Sequence, residues 1–172
     1  MEKVIEALKA GKLIVYPTDT VYGLGADALN ERAVDLVYGV KQRPRDQPIS
    51  ILVADFEMLY EYANASSEQK KRIEEKLPGP YTFILEPKKK LPVSTDNIGF
   101  RIPKHWCTKI AKELGRPITT TSANIHRLET PATITELRKA FGDKIDVYID
   151  GGRLVGKPST IIDLTTSKIV RD

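Results

Sequence analysis

Apolar positions along the chain come in short runs, and their period changes from segment to segment. Val4, Ile5 and Leu8 stand at helical spacing, and Gly11 stops that segment. The run "KLIVYPT" predicts a buried strand. "NERAVDLVYGVKQR" predicts a helix with Asn30 as N-cap and Ala33, Leu36, Val37 and Val40 on one face. "ISILVA" is a second short apolar strand. "DFEMLYEYA" and "SSEQKKRIEEKL" predict two helices, the second opened by a capping box of Ser66 and Gln69. After the break at Pro78-Gly79-Pro80, "YTFIL" and "IGFRIP" read as strands, and a helix is expected over 105–114 with Gly115 as its stop. "RPITTTSAN" is a β-branched strand that runs into small polar residues. Thr133 and Glu136 form a capping box for "TITELRKAFG", with Gly142 as stop. "IDVYIDGG", "STIIDLT" and "SKIV" complete the pattern as strands, the last two as a pair.

Helices and strands are intermixed without a strict βαβ alternation. That predicts an α+β (mixed α/β) fold, a twisted mixed sheet of about seven strands flanked by helices. No internal repeat, low-complexity tract or long linker divides the chain, so residues 1–172 are expected to form a single domain. A hydrophobic content of 41% is enough to build its core.

Composition then narrows the function classes. No apolar run approaches the ~18 residues of a membrane span. "MEKVIEALKAGK" carries acids and alternates, unlike a secretory leader, so a soluble, cytoplasmic protein is expected. The single cysteine, Cys107, excludes an internal disulfide, and with His105 and His126 as the only histidines the chain is poor in zinc ligands. Cys107 falls in the 105–114 helix, where packing is its expected role. The formal charge of +4 suits an anionic ligand such as a nucleotide and permits RNA. Three Gln and four Asn lean towards a heat-adapted source.

Several strands end in residues that make poor scaffold. "YPTDTVYGLGADA" (16–28) follows its strand with Thr18, Asp19, Thr20, Tyr22, Gly23 and Gly25; by itself it reads as a glycine-rich turn, matching neither a Walker loop nor G-x-G-x-x-G. "KQRPRDQPIS" (41–50) sets Lys41, Arg43 and Arg45 between rigid prolines at a strand entrance. Lys41 suits a helix C-terminus, whereas Arg43 and Arg45, beyond the reach of the helix, suit a phosphate clamp. In "TTTSAN" (119–124), Ser122 and Asn124 point to one side of an extended chain. Ser159 and Thr160 enter a late strand, and Arg101 interrupts an apolar one. The lysines at 88–90 read as a solvated loop. Together these segments suggest one concave pocket for an anionic ligand, lined by strand ends.

The ordered set "YPTDTVYGLGADA", "KQRPRDQPISILVA", "LPGPYTFIL", "GFRIP", "TTTSAN" and "KPSTIIDL" closely resembles the YrdC/Sua5 family, the threonylcarbamoyl-AMP synthases, from about residue 12 onward. A K-x-R followed far downstream by S-x-N is the family hallmark. The length matches the short, single-domain form. The resemblance implies a YrdC/RibB-like fold with an open, basic concave face. It also implies synthesis of L-threonylcarbamoyladenylate from L-threonine, bicarbonate (or CO₂) and ATP, with release of pyrophosphate. A downstream tRNA transferase complex would then modify adenosine 37 of tRNA. Mg²⁺ is expected to enter with ATP, through its phosphates and without a protein metal site.

By the same resemblance, Lys41 and Arg43 would meet the ATP phosphates and serve catalysis. Gln47, Ser122, Asn124, Thr130 and Arg171 would join them on the nucleotide. Thr20, Arg101, Thr121 and Ser159 would hold threonine, with Arg101 on its carboxylate. No covalent nucleophile is implied, in keeping with the lack of a Ser-His or Cys-His arrangement. Two positions depart from the family pattern. Leu52 stands where longer members carry His, and Ile125-His126-Arg127 replaces a small Ser-Gly turn; His126 and Arg127 there read either as phosphate contacts or as a local loop difference, the second being preferred.

A second reading, from another class, is a tRNA- or double-stranded-RNA-binding protein that uses the basic face; no RNA fingerprint or aromatic platform favours it. A third is a carbamoyl-adenylate activity drawing on carbamoyl phosphate, as in the YrdC-like domain of hydrogenase maturation factors. The length and the PT-x-T loop argue against it.

Overall fold

The computed structural model describes residues 1–94 and 96–172. Helix α1 (Glu2–Lys9) leads into β1 (Ile14–Tyr16), β2 (Gly23–Gly25) and α2 (Glu31–Lys41). Strand β3 (Ser50–Leu52), α3 (Phe56–Tyr62), α4 (Ser67–Glu74), β4 (Tyr81–Leu85) and β5 (Ile98–Arg101) follow. The rest is α5 (Thr108–Leu114), β6 (Ile118–Ser122), α6 (Ile134–Phe141), β7 (Val147–Tyr148), β8 (Thr160–Asp163) and β9 (Lys168–Arg171). The nine strands make one mixed sheet in the order β7-β1-β2-β6-β3-β5-β4-β8-β9. The expected class is therefore observed, with nine strands among the described residues in place of about seven.

Strand β2 explains part of that difference. Gly23-Leu24-Gly25 was expected as turn, yet it pairs with both β1 and β6. A Cβ on Gly23 would lie 2.9 Å from the Tyr16 ring and one on Gly25 2.7 Å from it. The glycines thus clear room for an aromatic ring above the sheet, a close approach that looks like turn chemistry in the sequence.

Local signals otherwise hold. Asn30 caps α2, and the capping boxes Ser66–Gln69 and Thr133–Glu136 open α4 and α6. The buried stripe of α2 is rotated from the expected one. It comprises Ala33, Val34, Val37, Tyr38 and Lys41, while Leu36 is exposed. Helix α5 begins at Thr108, later than expected, and β8 and β9 pair antiparallel.

The two sheet faces differ, and that difference makes the site. On one face Val15, Leu24, Ile51, Phe83, Phe100 and Ile162 are sealed beneath α2, α3, α4 and α6. On the other, Ile14, Tyr16, Leu52 and Ile118 lie under α1 and α5. The register continues that second face beyond the helices as Ser50, Thr82, Gly99, Arg101, Thr120 and Ser122. These side chains are polar or absent and need no apolar cover, so the sheet stays open there. Leu52, opposite Arg101 in the register, is fully buried in the α1/α5 cluster and offers no polar contact to a ligand.

Candidate functional site

The open half of that face holds a small cavity of about 130 Å³, and a larger one of about 710 Å³ adjoins it. Val21, Arg43, Ser122, Pro158 and Arg171 border both. The small cavity is hydroxyl-rich, with Thr18, Ser50, Thr82, Thr120 and Ser159 in its wall. Gly99 packs against two of these side chains: a Cβ there would stand 2.3 Å from Ser50 Oγ and 2.9 Å from Thr82 Cγ2.

Arg101 is the charge in this wall. It is buried, its Nη2 donates to Thr20 Oγ1 at 2.8 Å, and the same nitrogen is paired with Asp19. Asp19 Oδ2 in turn accepts from Lys104 N at 2.9 Å. Arg101 Nε is buried with no acceptor. Both protein partners thus converge on one nitrogen, and a buried donor is left over, which is what a bound acceptor would satisfy. Thr20 supports Arg101 without lining the cavity, and Thr18 borders it instead. Thr121 borders the cavity too, but its register partner Leu24 places its side chain on the opposite face from Thr120. Ser159 is buried, exchanges a 2.8 Å hydrogen bond with Thr82, and gives its carbonyl to Arg171 Nη2 at 2.8 Å.

Lys41 joins the two halves of the K-x-R and S-x-N pattern. Its Nζ donates to Ser122 O at 2.5 Å, Asn124 O at 3.0 Å and Asn124 Oδ1 at 2.8 Å. Ser122 Oγ closes the unit on Asn124 Oδ1 at 2.7 Å. Burial, and next the neighbouring Arg43 charge, push the Lys41 amine down to about 7. All three of its donor directions have protein acceptors, so its first role is to hold the S-x-N turn against the end of α2.

Arg43 is more available. Its Nε donates to Gln47 O at 2.9 Å and its Nη2 to Pro48 O at 3.0 Å, leaving the remaining guanidinium donors at the boundary of the two cavities. Gln47 enters through this carbonyl and does not border either cavity. Arg45 is turned away, stacked 4.4 Å above the Tyr38 ring and paired with Asp35. Thr130 lines the larger cavity, as do Asn124 and Lys41. Burial, then the charges of Arg101 and Arg43, hold the Arg171 guanidinium below its ordinary value. Three guanidiniums that repel one another around a cavity bordered by no carboxylate among the described residues attract an anion.

Sequence reasoning missed Ser50, Thr82 and Thr120, which sit on the open face through strand register, and Asp19, whose partner Arg101 is 82 residues away. The only available signal was a small polar residue inside an otherwise apolar strand for Ser50 and Thr82, and the hydroxyl run at 119–122 for Thr120.

The family model described as Sua5/YciO/YrdC, "Telomere recombination", matches residues 6–172. The chain belongs to this family. A member from Methanocaldococcus jannaschii, provisionally named a threonylcarbamoyl-AMP synthase, is 44% identical over 98% of this chain and 84% of its own length. Among solved structures of the family, Escherichia coli YciO superposes with a TM-score of 0.90 at 30% identity, covering 99% of this chain and 87% of that one. Sua5 of Pyrococcus abyssi, solved in complex with L-threonine, gives a TM-score of 0.86 at 37% identity over 95% of this chain. This family member spans about half the length of that Sua5, 51%. No helix among the described residues is long and apolar enough to cross a membrane.

Proposed function

We propose that the protein is a nucleotidyltransferase that makes L-threonylcarbamoyladenylate from L-threonine, bicarbonate (or CO₂) and ATP, with pyrophosphate as the second product. Residues 1–172 would act as one catalytic domain. The observation that carries this reading is the joined pair of cavities: a small, hydroxyl-lined one with buried Arg101, opening between Arg43 and Arg171 onto a larger basic one. One suits an amino acid, the other a nucleoside triphosphate, and their junction is where two anions must be brought together. The relatives' name and the threonine complex of the Pyrococcus Sua5 support the same assignment.

In this reading the threonine carboxylate takes the unmatched Arg101 Nε, and the hydroxyls of Thr82 and Ser159 surround its side chain. The threonine amine adds CO₂ to give an N-carboxylate and loses a proton. An oxygen of that N-carboxylate attacks the α-phosphorus, and the bond to the pyrophosphate leaving group breaks. Arg43 and Arg171 stabilise the charge that develops at the junction. Ser122, Asn124 and Thr130 hold the nucleotide, and Lys41 fixes the turn that presents them. Glu129 is the one carboxylate among the described residues bordering the larger cavity, and no cluster of three metal-ligating side chains occurs among them. Such a cavity fits Mg²⁺ carried on the phosphates, where it would neutralise their charge. The adenylate would pass to a transferase that modifies adenosine 37 of tRNA.

The test is pyrophosphate release from ATP and Mg²⁺, with L-threonine and bicarbonate each omitted in turn. Release that requires both, with alanine a poor substitute for threonine, supports the synthase. ATP binding without release, together with salt-dependent tRNA binding, would favour the RNA-binding reading.

A further inference from the structure

The loop after the S-x-N turn departs from the family pattern, and its histidine is not used by the mechanism above. His126 follows Asn124 by two residues, and its backbone N–H donates to Lys41 O at 2.8 Å. That bond ties the loop to the end of α2. Arg127 next to it takes φ = 67°, the left-handed conformation that a glycine at this place would supply without strain. His126 and Arg127 are the two large polar side chains that this turn carries. Both line the larger cavity.

His126 is half-buried, and its Nε2 is shielded from solvent with no hydrogen-bond partner. A shielded polar atom without a partner is uncommon and points to one supplied by a ligand. The charged groups lining the same cavity are the cations Lys41, Arg43, Arg127 and Arg171, with Glu129 the carboxylate among the described residues. A group surrounded in this way faces a predominantly anionic ligand.

We propose that His126 is a phosphate-binding residue, donating Nε2–H to a phosphate oxygen of the bound nucleotide. The proposal rests on the reading that the larger cavity takes ATP. Burial, then the charges of Arg43, Arg127 and Lys41, hold the imidazole below its ordinary value in the free protein. It is neutral there at pH 7 and presents one N–H, so it adds no repulsion to the cation cluster until an anion arrives. The bound phosphates then favour the protonated ring.

With only two histidines, His105 and His126, the imidazole Cε1–H resonances can be followed individually, His105 serving as the internal control. On titration with ATP the His126 resonance should shift and its apparent pKa rise. His126→Ala should weaken ATP binding about tenfold, the loss of one hydrogen bond to a charged group. His126→Gln, which keeps an N–H donor at similar reach, should recover most of that loss. Threonine affinity should stay within about twofold in both variants, since the smaller cavity is not bordered by this residue. ATP binding with an unmoved His126 resonance, or an alanine variant that binds ATP as the parent does, would overturn the assignment alone. A parent protein that binds no ATP would overturn the nucleotide reading and this assignment with it.

Discussion

Lys41 Nζ lies 2.8 Å from Asn124 Oδ1, so two motif halves 83 residues apart form one hydrogen-bonded unit. The lysine is buried to 1% exposure and bridges the last turn of α2 to the loop after β6. Lys41→Met keeps the length and removes the donors: Asn124 O loses its partner, while Ser122 O keeps the Asn124 N–H and Asn124 Oδ1 keeps Ser122 Oγ. Urea unfolding should show a loss of about 2 kcal/mol. ATP affinity should fall more than threonine affinity, because the stranded turn borders the larger cavity.

The depressed Lys41 amine gives a pH signature. Its folded value is about 7 against an ordinary 10.5, so between those values the unfolded chain binds more protons than the folded one. Stability contributed by this group therefore rises as pH rises from about 7 towards 10.5, and its penalty is fully present below about 7. Phosphates beside the amine favour its ammonium form, so ATP binding at pH 8 should take up protons. Calorimetry in two buffers of different ionisation enthalpy measures that uptake, and Lys41→Met should remove most of it, leaving the smaller share of His126.

Arg101 and Asp19 are a buried ion pair. Asp19→Ala leaves the guanidinium with Thr20 alone and should destabilise the fold by about 3 kcal/mol, read from denaturant unfolding. Arg101→Lys retains charge but loses the planar fork and the unmatched Nε. It should raise the KM for threonine about tenfold or more while leaving ATP affinity near that of the parent.

Gly99→Ala tests the packing behind Ser50 and Thr82 in the wall of the small cavity. The new Cβ would meet Ser50 Oγ and Thr82 Cγ2, so threonine binding should weaken and stability should fall by about 1–2 kcal/mol. The double variant with Ser50→Ala removes the closest atom and should regain part of the stability. No recovery would show that the clash lies elsewhere.

Burial pushes the Cys107 thiol up to about 12, with smaller opposing effects from Arg101 and Asp19. The native protein should be inert to a disulfide exchange reagent at pH 8 and react fully once unfolded.

Much of the fold was legible in short stretches, because helix caps and apolar periods are local. Asn30, Ser66 and Thr133 each act on amides within three residues, and the structure places their helices accordingly. The K-x-R and S-x-N residues and Arg101 were also legible as candidates, since charge and small hydroxyls at strand ends stand out from scaffold. Tertiary structure decided what each one does. Strand register put Thr120 and not Thr121 on the open face, because a one-residue step reverses a side chain. Long-range pairing made Thr20 and Asp19 supports of Arg101, and it made Lys41 the tie of the S-x-N turn. The sequence determined which groups are available; only the pairing of strands distant along the chain determined which donors already have protein acceptors, and so which remain for a ligand.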